Sequence, residues 1–433
     1  MISTIIFITI DITIIRIYFY SIFQISTQQR ILLYFVITFG IVIGQFFILK
    51  YINDKTSESR KRNVLHFKKI TLITFFLQGL ILIFLTITSS QIYLQNRYTT
   101  FSIIGILILS YSSASFYMLI LSAKLISLLK TNRNYLLFFY GVSVLSIAFN
   151  LILTILYMSP YLFNQPQVIK PYLGYVTPHV SSVLLKNIQI PYFISSITSF
   201  ILMWISTTLI YRKYISNLNW KYWMLLIASM FYFAIQYIPI ENAFIGLKHS
   251  DPLFFALFSV LIFTYTKPLG GLLFGLAFWL SVWSLKRNNI QVDQMSITAY
   301  GIVFLFISAQ TTELITAPFP PFGVASMSMV SLASFMILVG IYSSTISATR
   351  DKHILLKVRR TIEERYSLLG TLALSENRQE TKKLIVNIYE KIDAGGYDET
   401  GIKSSLTLKE INEYCDEVME EIKKIHPRNH KSQ

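Results

Sequence analysis

Nine stretches of this chain, each close to twenty residues and almost wholly apolar, dominate what it can fold into: 31–49, 70–90, 101–123, 135–158, 193–211, 222–240, 269–285, 296–311 and 324–347. About twenty such residues are what a helix needs to cross the hydrocarbon of a bilayer. A tenth stretch, 2–23, is interrupted by Asp11 and Arg16, and a shorter apolar piece lies at 252–266. Composition agrees: 53% of residues are hydrophobic and only 14% charged, where a soluble domain carries nearer a quarter. The expected fold class is therefore all-α: a polytopic membrane bundle of about ten spans plus one re-entrant helix.

Charge divides the chain in two. Of its 22 acidic residues only seven precede residue 349: Asp11, Asp54, Glu58, Glu241, Asp251, Asp293 and Glu313. The other fifteen fall in the last 85 residues, beside sixteen Lys and Arg, so nearly all of the net charge of +16 belongs to the apolar part. The reading is a membrane domain, 1–348, followed by a cytosolic helical tail, 349–433. A basic excess among spans is what orientation requires, and nucleic acid is not expected as a partner.

The loops set the orientation. Lys50, Lys55, Arg60, Lys61, Arg62, Lys68 and Lys69 crowd one loop, and the next has only Arg97. Lys124, Lys130 and Arg133 follow, then Lys170 and Lys186 in a long segment, then Arg212, Lys213 and Lys221, then Lys248 alone. Rich loops belong in the cytoplasm. The pattern holds, with the tail cytoplasmic, if 252–266 enters and returns as a re-entrant helix. The break 266–271, Thr-Lys-Pro-Leu-Gly-Gly, reads as unable to continue a helix. Two full short crossings there are the competing count and would place the tail outside. The segment 159–192, with Pro160, Pro166, Pro171, Pro178 and Pro191, reads as an outer cap.

The tail reads as three short helices. One continues from the last span with Ile354, Val358, Ile362 and Tyr366 on a face, a second covers about 376–392, and a third begins at a Thr407/Glu410 capping box. That is enough for a small packing module and too little for a catalytic domain.

Two places put polar chemistry at membrane depth. The first is Lys267 beside Gly270 and Gly271, where a broken helix would offer an anion site or a selectivity point; the bland alternative is a structural hairpin with Lys267 snorkelling to headgroups. The second is Gln310 to Gly323. Glu313 could meet Lys267 or a cationic ligand, and Pro318, Phe319, Pro320, Pro321 and Phe322 form a stiff outer loop. The bland alternative there is a rigid turn with its aromatics in the interface belt. Asp11 and Arg16, five apart, are tolerable if each is paired, and no chemistry is assigned to them.

No zinc-protease, Walker, nucleophile-elbow or paired-aspartate motif is present, so an enzyme is not expected, nor a cofactor. His426 and His430 have ligand spacing near Cys415, but Pro427 breaks the helix and a third partner is missing, so no metal is expected.

The stretch 317–323 (Ala-Pro-Phe-Pro-Pro-Phe-Gly), the later 338–344 (Leu-Val-Gly-Ile-Tyr-Ser-Ser), the break 267–271 and the tail's Ser404-Ser405-Leu406-Thr407 together resemble a group of multi-pass archaeal membrane proteins of uncharacterised function. The resemblance covers about 260–425. It implies an archaeal cell-membrane location and transfers no catalytic residue.

Two functions follow from these residues. The first is a membrane sensor or coupling scaffold, in which an outer face (159–192 and 311–323) passes an event through the last span to a cytosolic partner of the tail. The second is a channel or secondary transporter using the break at 266–271. The bilayer is the certain partner, and a homo-oligomer is compatible with everything above.

Overall fold

The protein is described by a computed structural model covering residues 1–19, 26–61, 65–131, 135–171, 182–214, 220–235, 250–284, 289–309 and 319–350. The described residues are helical almost throughout. In order come α1 (Ile2–Phe19), α2 (Thr27–Lys61), α3 (Leu65–Gln95), a two-residue strand β1 (Tyr98–Thr99), α4 (Thr100–Thr131), α5 (Tyr135–Phe163), β2 (Val168–Ile169), α6 (Ser182–Tyr214) and α7 (Trp220–Ile235). Then follow α8 (Pro252–Ser259), a π-helical turn (Val260–Thr264), α9 (Thr266–Ser284), α10 (Asn289–Ser308), α11 (Val324–Met327) and α12 (Met329–Arg350).

Among the described residues seven helices are long and apolar enough to cross a membrane, within Thr27–Asp54, Lys69–Gln95, Thr100–Leu129, Tyr135–Phe163, Asn187–Arg212, Leu257–Trp279 and Val324–Ser344. Three shorter apolar helices accompany them, at Ile2–Ile14, Trp223–Ile235 and Asp293–Ser308. Side chains such as Phe39, Phe46, Phe76, Phe101 and Phe231 are well exposed on the outside of the bundle. In water such a surface would aggregate; against lipid tails it is matched.

Because tails are as apolar as leucine, helices in lipid are held by close packing and by hydrogen bonds rather than by burial. Helices α4 and α5 run antiparallel, tied by Ser115 and Ser122, whose hydroxyls donate to the carbonyls of Ala148 (3.1 Å) and Gly141 (2.9 Å). Helices α5 and α6 are also antiparallel, with the Tyr157 and Tyr192 rings stacked at 4.7 Å and Ser143 directed at the Met203 sulfur. Between α10 and α12, a Cβ added to Gly340 would lie 2.7 Å from the Gln294 carbonyl, so only glycine lets these backbones meet.

Helix α12 is the hub. Together with α11 it makes an apolar stretch, Val324–Ser344, that is buried all round, α12 packing against α2, α3, α4 and α10. It runs on as helix to Arg350. The tail expected at 349–433 lies, from residue 351 on, outside the described residues, as do its three helices and His426, His430 and Cys415.

The cap is smaller than expected. Residues 159–163 finish α5, with Pro160 in its last turn, and 182–192 begin α6, with Pro191 inside it. Between them β2 pairs antiparallel with β1, Tyr98 opposite Ile169 and Thr99 opposite Val168. This ties the α5–α6 connection to the α3–α4 connection at one end of the bundle, called the sheet end below.

The break at 266–271 needs correction. Lys267, Pro268, Gly270 and Gly271 lie in the first turns of α9, and the Leu269 N–H donates to the Tyr265 carbonyl at 3.0 Å. Ser259 and Tyr265, which flank the π-turn, both have right-handed helical dihedrals. The chain therefore continues as one apolar stretch, Leu257–Trp279, rather than turning back as a re-entrant hairpin at 252–266. Pro268 lacks a donor for the Thr264 carbonyl and would crowd it; widening the preceding turn relieves the clash without ending the helix.

Candidate functional site

The interrupted helix occurs instead at 319–328. A cis peptide joins Phe319 to Pro320, the Phe322 N–H donates to the Pro320 carbonyl at 2.9 Å, and Gly323 sits at φ 88°, a left-handed value that glycine adopts without strain. Helix α11 starts immediately after, breaks at Ser328, and α12 resumes. Pro320, Pro321 and Phe322 are buried and Phe319 is half-buried. Phe319 stacks on Tyr98 at 6.1 Å, and Phe322 meets the edge of Tyr34 at 5.8 Å. What reads as an exposed outer loop is, in its second half, a plug inside the bundle.

Its depth follows from its partners. The Met327 carbonyl accepts from the Ser110 hydroxyl at 2.7 Å, and Ser110 lies ten residues into α4, which starts at Thr100. At 1.5 Å per residue Met327 sits about 15 Å below the sheet end. Peptide groups freed at that depth must find partners.

Asp11 supplies the first. Its Oδ1 accepts the Gly323 N–H at 2.9 Å, and its Oδ2 accepts the Ser326 N–H at 3.3 Å and the Ser326 hydroxyl at 2.5 Å. The carboxylate is 1% exposed. A helix normally caps its first amides with a local Ser, Thr, Asp or Asn, but glycine occupies the cap position here, so an aspartate 312 residues away in sequence does it. Arg16, the expected partner of Asp11, has its side chain outside the described residues.

The break at Ser328 is satisfied by a second set. The Gln45 carboxamide donates to the Ser328 hydroxyl at 2.6 Å, and that of Gln78 donates to Gln45 Oε1 at 3.0 Å and to the Ser328 carbonyl at 3.3 Å. Ser113 donates to the Ser331 hydroxyl at 2.7 Å, and the Ser331 N–H reaches Ser110 Oγ at 3.3 Å. The result is a buried polar column beside α12. Each member replaces a hydrogen bond that water would otherwise make.

The other site is a cavity at similar depth. It is small, about 40 Å³, open on one side, and lined by residues of α5, α6, α7, α9 and α10. Asn150, Ser196, Ser199 and half-buried Lys267 provide its polar wall, and Leu151, Phe200, Phe233, Leu305 and Phe306 form most of the rest. Phe200 stacks face to face on Phe233. Asn150 Oδ1 is buried without a hydrogen-bond partner, and no carboxylate is among the described lining residues.

The structure thus places Lys267 at a cavity. Gly270 and Gly271 pack against Phe200 and Phe306, which line it, without lining it themselves. Neither glycine offers free amides, because both are inside a helix. Gln310, Glu313 and Pro318 lie outside the described residues, and so does the expected meeting of Glu313 with Lys267. Pro320, Pro321 and Phe322 belong to the turn capped by Asp11, a different place from the Lys267 cavity.

Sequence reasoning missed Asn150, Ser196 and Ser199 as a cavity wall, and Gln45 and Gln78 as a buried pair. Two glutamines inside otherwise apolar spans were the available signal, since a polar side chain at that depth needs a partner. Among the described residues no group of three or more His, Cys, Asp or Glu could hold a metal ion. No family model, curated protein or solved structure matches this chain.

Proposed function

We propose that this protein binds a small, anion-bearing solute in the Lys267 cavity and carries it across the cell membrane as a secondary transporter or channel. The single observation that carries this reading is an ionisable residue at membrane depth lining a half-open cavity. Placing an ammonium there is unfavourable in lipid and is put to use where it faces a wet pathway. Lys267 gives charge selection, Asn150 and Ser196 give orientation, and the aromatic wall excludes water from the remainder. In this reading the three shorter apolar helices also cross, giving about ten spans, and the cavity mouth faces outside with the tail in the cytoplasm.

A second reading, the sensor that relays an outer event to the tail, is favoured by one feature. Helix α12 is gripped on every side and continues without a break to Arg350, so a shift at the turn would travel along a rigid rod.

Purified protein in sealed vesicles separates the two. Influx of a panel of inorganic and organic anions, read as an anion-driven membrane potential, is expected for the full chain and is expected to be lost in Lys267→Ala. Flux should survive removal of 351–433. Lysine-independent flux, or none for any anion tested, ends the transport reading.

A further inference from the structure

We infer that the solute is an amphipathic organic anion, a carboxylate or phosphate head on a short hydrocarbon body, rather than an inorganic ion; this rests on the transport reading above. The cavity wall is unequal. One ammonium and a few neutral polar groups stand on one side, and Leu151, Phe200, Phe233, Leu305 and Phe306 on the other. An inorganic anion loses water on all faces and would regain partners on only one, an uncompensated desolvation. An ion whose other end is hydrocarbon loses nothing on the apolar face and gains by burial there.

A second space points the same way. Behind Ile147, Leu305 and Phe306, which belong to both, lies a small apolar void of about 10 Å³. Val144, Met118, Met203, Phe278 and Ile337 are among its walls. Methionines repack easily around chains of different length, and a turn of the Phe306 ring would join the two spaces. The head belongs at Lys267 and Asn150, whose carboxamide presents Nδ2 after a half-turn; the body points towards Met203 and Val144.

The test uses the full chain in nanodiscs of phosphatidylcholine, titrated with chloride, inorganic phosphate, butyrate and octanoate. Binding is read as the part lost in Lys267→Gln, which removes simple partition into lipid, and Lys267→Arg should restore it. Octanoate is expected to bind more than tenfold tighter than butyrate, since four methylenes at full burial would give on the order of a hundredfold. Chloride and phosphate should be weaker still. Val144→Phe, which fills the inner void, should reduce the octanoate advantage severalfold, and an unchanged melting temperature shows that it folds. If that variant fails to fold, the wild-type octanoate-to-butyrate ratio decides alone. Replacing a fifth of the lipid with phosphatidate distinguishes a dissolved amphiphile from a membrane-borne one, which would displace octanoate. Lysine-dependent binding of chloride or phosphate as tight as octanoate overturns this inference and leaves the transport reading standing. Absence of lysine-dependent binding for all four overturns both.

Discussion

Two proline-bearing breaks, 266–271 and 318–323, look alike in sequence and behave differently in the fold. At the first, Pro268 stands in the opening turn of α9, the helical path is kept, and the disturbance is absorbed by the π-turn at Val260–Thr264. At the second, paired prolines precede a glycine at positive φ, and the short helix α11 is broken at Ser328 before α12 resumes. The difference lies in partners. Around 319–331 stand Asp11, Gln45, Gln78, Ser110 and Ser113, contributed by four other helices, and they take up freed backbone groups or the serines beside them. The first break needs only a wider turn, so it can live among apolar neighbours.

The sharpest way to break this contrast is Asp11→Ala. It leaves two buried N–H groups and a hydroxyl without their acceptor, each worth about 1–3 kcal/mol. The expected loss is about 3–5 kcal/mol, a large fall in the melting temperature of the detergent-solubilised protein. Asp11→Asn, which keeps one acceptor oxygen, should fall in between. A melting temperature within a degree or two of wild type for the alanine variant would remove the cap from the account.

Gly323→Ala comes next. A side chain at φ 88° is strained by about 1–2 kcal/mol, and a milder shift in melting temperature is expected. An alanine here that stabilises would mean the turn takes another conformation.

Gln78→Leu follows, removing the donor to Gln45 and to the Ser328 carbonyl. Hydrogen bonds between membrane helices average about 0.6 kcal/mol, so about 1 kcal/mol is expected for the pair. Ser110→Ala in the same background should be more than additive if the column acts as one network, which a double-mutant cycle measures.

The smallest effect belongs to Pro268→Ala, expected within about 0.5 kcal/mol because a proline in the first turn of a helix gives up little. Amide exchange at residues 260–268 should slow as the π-turn regularises. A large destabilisation would show that the proline holds the segment in place.

The apolar stretches announce the helices plainly, because lipid allows them no other partner for their amides than their own. Individual boundaries were less legible: Pro160 and Pro191, read as loop residues, sit within α5 and α6, where end-of-helix positions and neighbouring side chains tolerate them. Lys267 was picked out because a charge at that depth is conspicuous whatever surrounds it. Its neighbours Asn150 and Ser196 were not, since in an apolar helix a serine or asparagine bonded to its own backbone looks the same as one facing a cavity. Asp11 was conspicuous too, but its partner lies more than three hundred residues along the chain, beyond the reach of any local pattern.

What the sequence determined by itself is the class: a helical membrane protein with most of its charge, Asp11 and Lys267 apart, held out of its apolar spans. That follows from one-dimensional facts, run length and charge spacing, which the bilayer reads directly. Only the tertiary structure decided which break interrupts its helix, which carboxylate caps it, and that Lys267 shares a cavity with α5 and α6. Those depend on which freed donor finds which acceptor across helices, and that pairing exists only once the helices have packed.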